Sequence, residues 1–433
     1  MPPDSDRTAL RYAQQLLRAH GRDGAQAQCP DEHPALAWAR SGAMALTGSA
    51  ERAPLMCAAP LAACADGALA ALAALAPPRA YAGISGAALL GERAAIAGYT
   101  RRGRLSPGGS CRLVECADGW IAANLARDDD WALVPAWLEH EGAGEWGSVE
   151  RAARGLAVDM LIERGRELGL GVAPVSDART PTSVTRPQGP HTQEQTRPPV
   201  VVDLSSLWAG PLCAHLLQLA GAEVIKAEST QRPDGARSGP QPFFDLLNHG
   251  KRSVALDLAA PQGREQLRAL IARADIVIES SRPRALRQLG IVAEDLLRAN
   301  PRLTWIAISG YGRGAQEENW IAYGDDAGVA AGLTQLMYQA CGERVIVGDA
   351  IADPLTGLHA AVAALAGFQR GGGGLVPLAL AEVVRACMSF ELPQDLRGRQ
   401  REWTALAQDQ VHLPHARAAT GPARGLGADN SAI

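Results

Sequence analysis

The chain has 433 residues, 47% hydrophobic and 20% charged, with a net charge of −4. That balance fits a globular protein of two or three domains with ample core, and it lacks the basic surplus that nucleic-acid binding calls for. The eight cysteines are scattered, with no Cys-x-x-Cys and no histidine partner nearby, which argues against a zinc or redox-pair site and for a reducing, cytoplasmic setting. MPPDSDRTAL has no basic segment followed by an apolar core, so no secretory signal is expected.

In chain order, residues 8–20 read as a polar amphipathic helix, followed by a Gly/Gln/Asp loop and a small-residue helical region over 33–76. The apolar run 53–78 is interrupted by Pro60, Asp66 and Gly67, which makes it a buried helix with its approach and not a membrane span. Residues 84–99 read as a further helix. The stretch 101–124, RRGRLSPGGSCRLVECADGWIAAN, alternates like two strands around Asp118-Gly119, and helical patterns resume over 129–168. Residues 179–199, rich in Pro, Thr and Gln, cannot bury a core and read as a linker. They divide the chain into a first, smaller half (1–178), a second half (200–390) and a polar tail (391–433).

After the linker, VVVDLSSLWAGPLCAHLLQLAGAEVIKAE reads as strand, helix, strand, and strand and helix patterns go on alternating to residue 309. The expectation is an α/β fold: a doubly wound, mainly parallel Rossmann-like sheet, with a second, smaller α+β domain. A dinucleotide site would need G-x-G-x-x-G in the first strand–helix turn, which offers only Gly210. Further on, VIVGDAIADPLTGLHAAVAAL places a β-branched run, two acids and an alanine-rich helix in succession. Asp353 is expected to cap that helix, where an ionised carboxylate is favoured, with Pro354 in the first turn and Gly357 giving close backbone approach.

Five ordered motifs carry a resemblance: the β-α-β segment just quoted, NHGKRSVALDL, ADIVIESSRPRALRQLGI, NPRLTWIAISGYGRGA and DPLTGLHAAVAAL. They resemble the family III CoA-transferases, the CaiB/BaiF group, over residues 200–388. The resemblance implies acyl transfer between coenzyme A esters and a carboxylic acid acceptor through covalent intermediates on Asp353, with coenzyme A as substrate, no metal, no nucleic acid, no membrane and a homodimer. For the CoA phosphates the basic candidates are Lys226, Arg237, Lys251 and Arg252, together with Arg282 in the 279–283 turn. Gly108 and Gly109, in a turn resembling the family's small domain, could bring backbone N–H groups to the thioester oxygen. The polar tail resembles the family's return segment.

Against that pattern, Trp208 stands where relatives handling formyl-CoA and oxalate carry glutamine, and Tyr323 where the racemases of the group carry histidine. His359 reads as a packing residue. A CoA-ester racemase and a degenerate, non-catalytic CoA-binding protein are the alternatives. The small-domain half precedes the nucleotide half, the reverse of the family order. There is also an internal repeat: 332 − 42 and 357 − 67 both give 290, and at that offset Gly42 matches Gly332, Gly67 matches Gly357, and Ala63 matches Asp353.

Overall fold

The computed structural model describes residues 5–140, 144–177 and 195–432. Most of the expected linker, 179–194, lies outside the described residues. The first half begins with helices α1 (Thr8–Ala19), α2 (Pro34–Arg40), α3 (Leu61–Leu75) and α4 (Glu92–Ala97). Strands β1 (Cys111–Glu115) and β2 (Trp120–Asn124) form the expected hairpin, and β3 (Gly171–Pro174) adds to β2, so the small sheet is antiparallel throughout. Helices α5 (Asp128–Leu138), α6 (Trp146–Ala153) and α7 (Val158–Glu167) cover one face of it with their own apolar cluster. The opposite face packs Leu113 and Ala122 on Val329, Ala330 and Ile346 of the second half.

The second half runs β4 (Val200–Leu204), α8 (Ala209–Leu219), β5 (Glu223–Ser229), α9 (Gln241–Asn248), β6 (Arg252–Leu256), α10 (Pro261–Ala272), β7 (Ile276–Glu279), α11 (Pro283–Gln288), α12 (Ala293–Ala299) and β8 (Thr304–Ser309). It continues with α13 (Gly324–Ala331), α14 (Leu333–Cys341), α15 (Ala352–Gln369), β9 (Gly374–Ala379), α16 (Leu380–Ser389) and α17 (Leu396–Ala407). All six strands are parallel in the order β6-β5-β4-β7-β8-β9, the doubly wound order with its reversal between β4 and β7. Alternate strand residues face opposite clusters: Val201, Ile276 and Ile306 meet α8 and α15, whereas Val202, Val277 and Trp305 meet α10 and α12. No helix among the described residues is long and apolar enough to cross a membrane.

The β-branched run Val345–Val347 crosses as irregular backbone, with Thr334 Oγ1 donating to Val345 O at 2.9 Å, and reaches Gly348 at a φ of 68°. Packing crosses the boundary expected at residue 178. Tyr12, Trp38, Leu72 and Leu90 share one apolar cluster with Leu212, Leu355 and Leu365, so packing joins the first 90 or so residues to the large sheet and leaves residues 111–174 as the smaller unit.

The repeat has a structural counterpart. Gly42 and Gly332 both have positive φ, 80° and 107°. A Cβ on Gly67 would lie 2.5 Å from Ala9 O, and one on Gly357 would lie 2.8 Å from Ala209 O. Thus α1 crosses α3 as α8 crosses α15, each pair closed by a glycine against the first turn of its partner, and α3 packs directly on α15. The tail closes over both halves: Pro414 fills the space beside Gly42 and Gly91, and Arg417 donates to Glu92 Oε1 at 2.6 Å.

Candidate active site

Where β4 and β7 diverge, a cavity of about 500 Å³ opens at the carboxyl ends of the strands. Ser206 and Leu207 after β4, Ser280 after β7 and Ser309 at the end of β8 form one wall. Arg93, Tyr99, Ser110, Asn124 and Arg127, all from the first half, form another. The two halves of one chain therefore share the cleft.

Asp353 stands in this cavity, as the second residue of α15 and not its cap. Its partial exposure is to the cavity. Two further helices begin beside it: α8 at Ala209 and α13 at Gly324, both residues lining the cavity. Three helix N-termini thus point at one carboxylate, a favourable field for an anion and for an oxyanion formed there. Burial raises the Asp353 pKa to about 6, with Asp349 adding to the rise, while Arg93 and the backbone N–H groups of Ala209 and Gly324 work in the opposite direction. Two non-glycine residues just ahead of these helices, Leu207 (φ 71°) and Ala350 (φ 43°), take left-handed backbone, a strain tolerated where the chain must turn sharply into the site.

Charge is concentrated around Asp353. Asp349 is fully buried and holds Arg93 through two bonds, from Nε at 2.8 Å and Nη2 at 2.5 Å. Asp325 accepts from the Ala350 N–H at 2.7 Å, and burial, with Asp349 next, raises its pKa to about 7. Asp326, also raised to about 7 mainly by burial, accepts from Asn124 Nδ2 at 2.8 Å across the two halves. Trp208 seals the floor, edge-on to Phe243, with the Arg93 guanidinium 5.4 Å from its ring centroid.

The basic candidates are not brought to the cavity. Lys226, in a strand of a sheet covered on both faces, is buried; its Nζ lies 2.8 Å from Asp234 Oδ2 and donates to Ser205 O at 3.0 Å. Lys251 is buried against Asp203 at 2.9 Å. Arg237 is taken by Glu228 at 2.6 Å, and Arg252 pairs at the surface with Glu223 at 2.8 Å. All four have carboxylate partners and none lines the cavity, so the structure does not bring them together beside Asp353.

Arg282 is different. It stands at the position just before α11, two residues beyond Ser280, and its charge is disfavoured by burial and by the neighbouring Arg284, Arg127 and Arg232. Gly108 sits behind Arg93, where a Cβ would lie 3.5 Å from Nη2. The Gly109 N–H is used inside its turn, donating to Ser106 O at 2.9 Å, so it is not a free donor for the cavity; Ser110, next in sequence, lines it instead. His359 packs as expected, 2.8 Å from Tyr12 Oη. Sequence reading missed Arg93, Asn124 and Arg127. A cation inside the apolar GERAAIAG segment was the one available signal for Arg93.

Residues 199–417, just over half of the chain, match the model of CoA-transferase family III, and the chain belongs to that family. Among curated relatives, it is 34% identical over 169 residues to the formyl-CoA:oxalate CoA-transferase of Rhodopseudomonas palustris, covering 37% of this chain and 40% of that one. It is 31% identical over 216 residues to the succinyl-CoA–D-citramalate CoA-transferase of Chloroflexus aurantiacus, covering 47% and 54%. The chain thus spans about half the length of the curated relatives it matches. A CaiB/BaiF family protein from Brucella suis is similar in structure with a TM-score of 0.41 at 31% identity, covering 44% of this chain and 54% of that one.

Proposed function

We propose that the chain is an acyl-CoA:carboxylate CoA-transferase in which Asp353 is the covalent nucleophile. The observation that carries this reading is the placement of Asp353: a carboxylate inside a cavity at the strand-order reversal, beside the first residues of three helices.

In this reading an Asp353 oxygen attacks the thioester carbonyl. The C–O bond forms, the C–S bond breaks, and CoA leaves as thiolate, giving an acyl-aspartyl anhydride. The thiolate attacks the aspartyl carbonyl, expelling the first acid as carboxylate and leaving an aspartyl-CoA thioester. The acceptor carboxylate attacks that thioester and regenerates anhydride and thiolate. A last attack by the thiolate on the new acyl carbonyl releases the product ester and frees Asp353. No proton and no electron pair is gained or lost overall. Each tetrahedral oxyanion is favoured by the helix N-termini at Ala209 and Gly324. Arg282, with Arg284, Arg232 and Arg127 near it, suits a CoA phosphate. A cytoplasmic setting and a homodimer remain part of this reading.

Formyl-CoA and succinyl-CoA, named for the relatives, are the first esters to test, with oxalate and D-citramalate as acceptors. Incubated with ester and no acceptor, the wild-type protein should gain the mass of an aspartyl-CoA adduct. Asp353→Asn should keep its fold, lose the adduct and lose exchange of CoA between two acids, whereas Asp349→Asn should still form the adduct. An adduct on Asp353→Asn, or its loss only in Asp349→Asn, would refute the assignment.

A further inference from the structure

Arg93 carries a feature that the charge cluster does not use. Asp349 occupies its Nε and Nη2, and Nη1 donates to no group among the described residues. The planar fork is therefore clamped along one edge, with Nη1 left over, and the residue lines the cavity with about 30% of its side chain exposed. The clamp is rigid: the partner carboxylate is fully buried, and the Trp208 and Tyr99 ring centroids lie 5.4 and 5.9 Å from the guanidinium carbon. The other lining cation, Arg127, is turned to Asp130 and to Gly169 O.

Three carboxylates, Asp325, Asp349 and Asp353, already interact around Arg93. A further carboxylate entering this space meets like charge at short range, which opposes binding unless a cation receives it. In the transferase reading, on which this step rests, such an entry is obligatory in every turnover, because the acceptor arrives as a carboxylate. We infer that the free Nη1 edge of Arg93 binds the reacting carboxylate of the acid partner and aims its oxygen at the aspartyl thioester on Asp353. The residue that receives the acid thus comes from the first half of the chain, and the nucleophile from the second.

Arg93→Gln alone would leave Asp349 buried and unpaired, so the first variant is Arg93→Gln with Asp349→Asn. The second is Arg93→Lys, which keeps a charge beside Asp349 but has no second edge to offer. Succinate serves as the probe on the full-length protein, read by saturation-transfer NMR, with neutral succinamide as control. Wild type should bind succinate and not succinamide. The double variant should bind succinate about tenfold more weakly or worse, and Arg93→Lys several-fold more weakly, as expected for a lost charge-assisted pair. Unchanged succinate affinity in either folded variant, or no succinate binding by wild type, overturns the inference. With an active ester and acid pair, the KM for the acid should rise about tenfold while that for the ester stays within about twofold; an equal rise in both also overturns it. Absence of turnover in a wild type that binds succinate through Arg93 would refute the transferase reading and leave the carboxylate site standing.

Discussion

Gly324 offers the sharpest test of the nucleophile's surroundings. Its need is for space and not for an unusual φ: a Cβ there would stand 2.2 Å from Asp353 Oδ2 and 2.4 Å from Ala350 O. Comfortable contacts begin near about 3.5 Å, so Gly324→Ala must push the carboxylate or the start of α13 by roughly 1 Å. Overpacking of that kind costs about 1–3 kcal/mol of stability, and a displacement of about 1 Å at a reacting group costs on the order of 10²-fold in rate. We expect Gly324→Ala to lower the turnover number for CoA transfer by that factor and to shift the urea midpoint by the corresponding amount. Gly328→Ala is the control on the same helix: its Cβ would meet only side-chain ends, Ile351 Cγ2 at 3.3 Å and Leu333 Cδ1 at 3.5 Å. It should keep full turnover and stay within about 1 kcal/mol of wild type. Wild-type turnover in Gly324→Ala, or equal losses in both variants, would show that the carboxylate is not held where the structure puts it.

The raised pKa values give opposite pH signs for activity and stability. Asp353 must be ionised to attack, so kcat/KM should rise with pH through about 6, and an activity profile flat from pH 5 to pH 8 would exclude it as the titrating nucleophile. Asp353, Asp325 and Asp326 have folded pKa values of about 6, 7 and 7, against 3.8 for an ordinary aspartate. The folded state therefore binds more protons between these limits, and the contribution of the three groups to stability declines as pH rises from about 4 to about 7. Lys251→Met should leave Asp203 without its 2.9 Å partner and destabilise by about 3–5 kcal/mol in urea, with the KM for the CoA ester unchanged; a raised KM with normal stability would restore its role as a CoA ligand. Arg282→Ala should raise the KM for the ester several-fold and weaken its salt dependence, whereas an unchanged KM would remove the phosphate assignment.

The large sheet was legible because each unit announced itself locally. The segment 200–229 reads as strand, helix, strand, and the hairpin turns at Asp118-Gly119. The basic candidates were chosen on charge, with each cation read as free to meet a phosphate. In a doubly covered parallel sheet, strand residues are enclosed on both faces, so Lys226, inside EVIKAES, had to find an internal partner. Asp353 was found by motif, yet its position as the second helical residue depends on Ala350 turning left-handed, which an alanine does not advertise. Arg93 was missed for a different reason: its partner, Asp349, is 256 positions away, and a cation in an alanine-rich segment does not say what it pairs with.

The two crossed helix pairs bear on what a substitution in each can disturb. At the shared offset, Ala63, Ala59 and Ala35 occupy the places of Asp353, Asp349 and Asp325; all three are buried, and none lines the cavity at Asp353. In the first pair, α3 supplies surface on which α15 rests, and Gly67 the close approach to α1. A change there is felt as packing, passed to the cavity only through α15, whereas a change in the first turn of α15 is felt in the cavity itself.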